Sequence, residues 1–392
     1  MTFVSDRGAR GSAFGLLPRL VMTVAAITVS CKSRGSDSTQ IRTRLAPGED
    51  VILGWSATFE HEILRSRDPD EPFASLTKGL VAADRHRRIY VYDDPSGKVL
   101  VLDSSGTVLG TRGRRGRGPG EISNPSGLGV DAEGGLVVFD VAKSGLVRFA
   151  PSGEILPEVR IVGMHEGGPI VTAPGLVTMG VVELDRQGHQ LVQRLVVLAD
   201  TGSSEVLATV AQPLPRAMRF PGCPNPVVLP PLFAPRLVWS GNDQVVAAVS
   251  DASYTIALYR NERPPIRIGR DIKPRSATRQ LALQEVASAR LPQKEGSCRV
   301  SPAELVEARG FASEIPEVAG LAVSPSGELW VRRQSLDSEG AVIDVFSAEG
   351  EYHGSLPSGT PFPDVFLDRL HFLVVERGED GVAHLRLYRL NR

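Results

Sequence analysis

Three cysteines in 392 residues are too few to staple a fold together, so the chain must rest on a hydrophobic core. Charge of one sign is missing as well: the formal net charge is -1, which exerts no overall pull toward nucleic acid. Between Phe73 and Phe139 the only aromatic residues are Tyr90 and Tyr92, within a strand, so the arginine-rich tract there lacks the aromatics of a base-stacking surface. No apolar run reaches the length of a membrane-spanning helix. The usual catalytic signatures are lacking: there is no G-x-S-x-G and no C-x-x-C, and "HEILR" at His61 breaks an H-E-x-x-H pattern after its glutamate. No cofactor is expected. What the chain does have is 40 glycines and 29 prolines spread throughout, a density that favours many short strands joined by turns over long helices.

Residues 1–30 read as an export signal. Arg7, Arg10 and Arg19 supply a positive region ahead of the apolar "LVMTVAAITVS", which is too short to span a bilayer but suits a signal core. The run ends at Cys31, and "TVSC" resembles a bacterial lipobox, with Ser30 as the small residue before cleavage and Thr28 where leucine is usual. That resemblance implies lipidation at Cys31; ordinary cleavage with an incidental cysteine is the alternative. Residues 31–48 are polar and suit a tether. The folded domain is expected over 49–392.

The tract "GRRGRGPGEISNPSGLGVDAEGGLVVFDVAKSGLVRFAPSGEIL" holds four short apolar strands separated by "AEG", "VAKS" and "PSG". Four antiparallel strands in about 45 residues make one propeller blade. The unit recurs at 79–109, 175–207, 236–266, 321–356 and 366–390. Ile89 and Leu136, in the second strands of the first two units, stand 47 residues apart, a spacing that points to a repeat. The expected fold is all-β, a six-bladed β-propeller. The sixth unit stops after three strands, and an open ring would expose unpaired edges. The spare strand "FEHEILRSR" at 59–67 is therefore expected to close it from the other end of the chain.

The motifs "GRGPGE", "NPSGL" and "DAEG" resemble NHL-type repeats of six-bladed propellers, above all those of exported bacterial lipoproteins. The resemblance implies architecture and an envelope location, periplasmic or at the outer-membrane surface, without a single activity. The arginine-glycine loop then links the outer strand of one blade to the inner strand of the next. Gly116, Gly118 and Gly120 would permit positive φ, and Glu121 could pair with Arg114 or Arg117. A phosphate loop would need the lysine and the helix that this tract lacks.

Two segments depart from the repeat. Residues 212–235 contain eight prolines and read as an irregular loop. Residues 269–313, between the fourth and fifth blades, carry two helix patterns, the second opening on a capping box of Ser301 and Glu304 with Pro302 at its first position. Cys223 and Cys298 sit one in each insertion; in an exported chain a disulfide is expected, two buried thiols being the alternative. Such a bond would make the insertions one wall, with Phe220, Phe233 and Phe311 for apolar contacts and Arg216, Arg219 and Arg299 for an acidic group. The same segments could simply cover a blade edge. The seven histidines occupy no common blade position, and Asp84 and Asp131, opening the first turns of their units, suit Asx turns better than metal ligation.

These features imply an envelope-anchored binding or scaffolding propeller for a protein, peptide or glycan, with the membrane met through a lipid and no role for nucleic acid. A metal-dependent lyase or lactonase, as the resemblance allows, and a purely structural envelope protein are the alternatives. If Cys31 is lipidated, cells fed labelled palmitate should label the wild type and leave Cys31→Ser unlabelled. Equal labelling of the two proteins would end that reading.

Overall fold

The computed structural model describes residues 42–65, 76–161, 164–173, 175–200, 203–220, 226–260, 263–288, 300–336, 340–378 and 382–392. The signal-like segment and Cys31 lie outside them. Residues Ile41–Arg392 make one compact unit.

Four-stranded antiparallel sheets follow one another along this unit. The first blade runs Val81–Ala83, Ile89–Asp93, Lys98–Leu102 and Val108–Arg112; the second runs Pro125–Val130, Leu136–Asp140, Gly145–Phe149 and Ile155–Arg160. The third holds Met164–Ala173, Leu176–Asp185, Gln190–Ala199 and Ser204–Pro213, and the fourth Val238–Gly241, Val245–Val249, Thr255–Arg260 and Arg263–Arg270. The fifth holds Val318–Val323, Leu329–Arg333, Ile343–Phe346 and Tyr352–Leu356. In the sixth, Val365–Phe366, His371–Arg377 and Ala383–Asn391 are completed by Ser56–Arg65 from the start of the unit. The chain is a six-bladed β-propeller.

The strand period explains why the blades stack. Successive side chains of a strand point to opposite faces, and here each face meets a neighbouring blade. Ile89 and Val91 join Leu373 and Leu385 in a core between the sixth and first blades. Tyr90 and Tyr92 join Val138 and Val147 between the first and second. The middle strands "IYVYD", "LVVFD" and "VVAAV" are buried throughout and are apolar along their length up to the closing Asp93 and Asp140 of the first two. Outer strands such as "VLGTR" face solvent and do not.

The expected ring closure is present, with Phe59 opposite Tyr388 and Leu64 opposite Leu385. Two boundaries differ from expectation. The third blade takes its inner strand from Met164–Ala173, ahead of the 175–207 unit, because Gly175 turns the chain between the first two strands at φ 77°. The segment expected as a tether ends in a strand: Thr43–Ala46 pairs in parallel with Arg263–Arg270, adding a fifth strand to the fourth blade. From there the strap crosses the fifth blade, where Ser355 donates its N–H to the Val51 carbonyl at 2.7 Å, and then enters the sixth.

What holds the strap is a buried ion cluster. Arg270, 2% exposed, donates to Asp344 at 3.1 Å and to Asp50 at 2.7 Å. It also donates to the carbonyls of Pro47 at 3.1 Å and Glu49 at 2.5 Å, with its guanidinium 4.3 Å from the centre of the Tyr352 ring. Asp344, fully buried, further accepts from the hydroxyls of Tyr254 and Ser355, each at 2.5 Å. Burial, reinforced by the Asp344 carboxylate, holds the Tyr254 hydroxyl protonated well above its ordinary range. Burial raises the Asp50 carboxyl, but hydrogen bonds from Arg333 and Arg270 outweigh it and leave that group below its usual value.

Removing one member leaves an uncompensated charge inside the protein. Arg270→Ala should lower the free energy of denaturant unfolding by about 3–5 kcal/mol. Arg270→Met combined with Asp344→Leu should lose clearly less, since no unpaired charge then stays in the interior. Equal losses in the two proteins would assign the effect to packing alone.

Candidate functional site

Three places were candidates for chemistry: the arginine-glycine loop, the central channel and the paired insertions. In the loop, the amides that would cradle a phosphate are already taken. The Gly118 N–H donates to Glu121 at 2.7 Å and the Gly120 N–H to Glu158 at 3.2 Å. Arg114 pairs with Glu121 at 2.8 Å, and Lys143 reaches both the Gly118 carbonyl and Glu158. The Gly118 N–H and then Arg114 hold the Glu121 carboxyl below its ordinary value. Glu121 is thus the anion of its own loop. Gly116 and Gly120 adopt positive φ, 150° and 69°, as expected. Gly118 does not; a Cβ there would lie 3.0 Å from the Glu121 carboxylate, which would have to shift.

The inner strands of all six blades line a channel cavity of about 580 Å³. Its walls are mostly small and apolar, with Gly129, Pro169 and Ala322 among them and Trp239 to one side. Polar groups collect at the turns that follow the inner strands, and most are engaged. Asp84 binds Arg88 at 2.6 Å and the Tyr90 hydroxyl at 3.0 Å while accepting the His86 N–H. Asp131 accepts the N–H groups of Glu133 and Gly135, the Asx turn expected there. At the other end of the channel, just ahead of the inner strands of the first and sixth blades, Lys78 pairs with Asp364 at 2.9 Å. Among the described residues, no group of three or more His, Cys, Asp or Glu side chains could hold a metal ion. His371 and His384 instead bind the carboxylates of Asp368 and Glu62 in the sixth blade, and Trp330 is core.

The insertions come together. The proline-rich segment forms a short hairpin, Arg216–Met218 with Val227–Leu229, where an irregular loop was expected. The second insertion folds into α1 (Arg279–Ser288) and α2 (Pro302–Arg309), based on a two-residue pairing of Arg275–Ser276 with Glu314–Ile315. The expected capping box opens α2: Ser301 accepts from the Glu304 N–H, and Glu304 accepts in return. Met218, Phe220 and Leu232 pack with Ala282, Val286, Leu305 and Val306 in one small core. Leu232 accepts the Ala312 N–H at 2.8 Å and donates to Gly310 at 3.0 Å, sewing the two segments together by backbone. Cys223, Cys298 and Arg299 lie outside the described residues.

This cap stands where outer strands lead into the next inner strands, the end of the ring opposite the turns that bear Asp84 and Asp131. Beneath it, a cavity of about 320 Å³ lies against the third, fourth and fifth blades. Of the residues expected to form a ligand wall, Phe233 lines it; Phe220 is buried in the cap core, and Arg219 and Phe311 are exposed. Arg216 sits in the hairpin by its backbone. Residues that sequence reasoning missed complete the pocket: Gln193, Gln212, Arg236, Glu285, Arg309 and Gln334. Gln193 and Gln212 are each 7% exposed and hold the cap down, the first accepting the Leu237 N–H at 2.8 Å and the second donating to the Pro235 carbonyl. Their signal was a glutamine at the buried phase of a strand. Burial draws the Arg309 guanidinium below its ordinary value, partly offset by Glu285.

No protein-family profile and no curated protein matches the chain. Among solved structures it is similar to a suspected exported protein from Bacteroides fragilis, at 11% identity over 90% of this chain and 99% of that one, with a TM-score of 0.47. It is also similar to a gluconolactonase from Xanthomonas campestris (15% identity, 88% and 97% covered, TM-score 0.36). A calcium-binding regucalcin from Agrobacterium tumefaciens aligns at 11% identity over 83% of this chain and 92% of that one, TM-score 0.37. Likenesses this distant carry no argument about what this chain binds.

The loop geometry separates structure from recognition. Gly120→Val forces a branched side chain to φ 69° against Ile155, whose Cδ1 would lie 2.5 Å from the new Cβ. It should cost about 1–3 kcal/mol or more of stability. Arg114→Ala with Arg115→Ala should stay within about 1 kcal/mol of wild type. Loss of tight polyanion binding in the double variant would instead make the loop a recognition element.

Proposed function

We propose that the protein is an exported, membrane-anchored binding module that takes a short segment of a protein or peptide ligand under its helical cap. The observation carrying this reading is the cap pocket itself. Two insertions far apart in sequence share one core and enclose about 320 Å³ with the ends of three blades. That volume falls at the lower end of the range of small-ligand sites, and the lining has their usual mixture of apolar wall and a few fixed polar groups. Phe233, Leu305 and Val318 supply apolar surface, while Arg236, Glu285 and Arg309 supply charge of both signs. Long ordered insertions in a compact domain are often functional. The signal-like residues 1–30 and the lipobox-like "TVSC" support export and anchoring through Cys31.

The reading is tested by filling cavities. Ala234 lines the cap pocket and Ala132 the channel cavity. Ala234→Trp should abolish capture of a partner from detergent-solubilised native envelope without lowering the melting temperature, and Ala132→Trp should capture it normally. The reverse pattern would move the ligand to the channel. Full capture by both variants would defeat a pocket-based function altogether.

A further inference from the structure

The strap that begins the folded unit leaves the outer edge of the fourth blade unusually basic. Arg42, Arg44, Arg263 and Arg267 are all exposed there. None is joined to a carboxylate among the described residues, whereas Arg270 and Arg333, a short way along, are each held by Asp50. The register spreads the charge over both faces of the edge. Thr43 lies opposite Arg267, so these two project on one side; Arg44 lies opposite Ile268, on the side of the core shared with the fifth blade. Arg263 pairs across the hairpin with Arg260, setting cation beside cation. Burial first, then the Arg263 charge, depress the Arg260 guanidinium; Arg44 adds to this and Glu349 opposes it.

Apolar side chains accompany the charge. Leu45, in the same edge strand, is 53% exposed, and Val51 and Ile52, farther along the strap where it crosses the fifth blade, are 59% and 63% exposed. A rim with arginine on both faces and leucine at its edge fits a broad, flat partner better than a groove-bound ligand. The chain outside the described residues names that partner. Eleven residues carry Cys31 to Arg42, so whatever surface holds Cys31 lies within a short tether of this edge.

We propose that the outer edge of the fourth blade, centred on Arg42, Arg44, Leu45 and Arg267, docks onto an anionic phospholipid surface and orients the propeller on its membrane. The idea extends the anchored reading above, yet the docking surface exists whether or not Cys31 is acylated. Docked by this edge, the ring stands with its axis along the membrane plane, and both the cap pocket and the channel mouth stay open to solvent. The competing role for charged residues on an exposed strand is to block addition of another strand, which requires no lipid.

The test uses a chain starting at residue 31 with Cys31→Ser, which retains the whole compact unit and carries no lipid. It is floated with vesicles of phosphatidylcholine alone or of phosphatidylcholine with phosphatidylglycerol. Binding to the anionic vesicles should exceed binding to the neutral ones by at least about tenfold and should weaken as salt is raised. Arg42→Glu, Arg44→Glu and Arg267→Glu together should return it to the neutral level with an unchanged melting temperature. Leu45→Asp, which leaves all the arginines in place, should weaken it partially. Equal binding to the two vesicle types, no binding to either, or unaltered binding by the triple variant would each overturn the proposal. Because no arm depends on acylation, these results are independent of the palmitate labelling of Cys31.

Discussion

A charged side chain placed among packed blades is the constraint around which this propeller is arranged. Arg270 ends the fourth strand of the fourth blade, next to the strap strand that forms its edge. It is enclosed, because the strap passes over it and the fifth blade offers Asp344 from below. An isolated guanidinium at that depth would be prohibitively costly, so strap, fourth blade and fifth blade must assemble together. The strap then continues into the sixth blade as its outer strand. One cluster therefore sets the path of the segment that closes the ring.

The cap follows a different logic. It carries its own small core, and at its base Arg275 pairs with the buried Glu317 at the start of the fifth blade. Its junction with the ring is polar: Gln212 donates to the Pro235 carbonyl at the end of the proline-rich segment, and Gln193 accepts the Leu237 N–H just beyond it. A polar seam between two apolar cores leaves room for a cavity, since hydrogen-bonded amides fix a spacing that packed methyl groups would collapse.

The blades were legible from sequence because their physics is local. Turn residues punctuate strands that repeat at a nearly constant interval, and Asp131 in "DAEG" announces its own Asx turn. Ring closure could be read as well, from a missing strand at one end and a spare one at the other. The third blade was misframed because its inner strand, "MHEGGPIVTA", contains two glycines and a proline and looks like a loop. The ion cluster was not legible. Arg270, Asp344 and Asp50 are polar letters separated by as many as 294 residues, and nothing local distinguishes them from surface charges. The pocket shares that difficulty, as its lining comes from blades and insertions that meet only in the folded state.

Closing the ring by pairing Ser56–Arg65 with the final strand has a consequence for how the molecule comes into being. His384 and Glu62 touch across 322 residues of sequence, and no shorter piece of chain can make that contact. Pairing over such a separation is entropically late and slow. A nascent chain therefore holds an open arc of blades until its final strand has been delivered. If the chain is exported as proposed above, this ordering is advantageous: the event that locks the structure waits for the last residues to arrive. A chain cut short by a few tens of residues would remain an unsealed arc with two bare sheet faces, ready to be recognised and degraded.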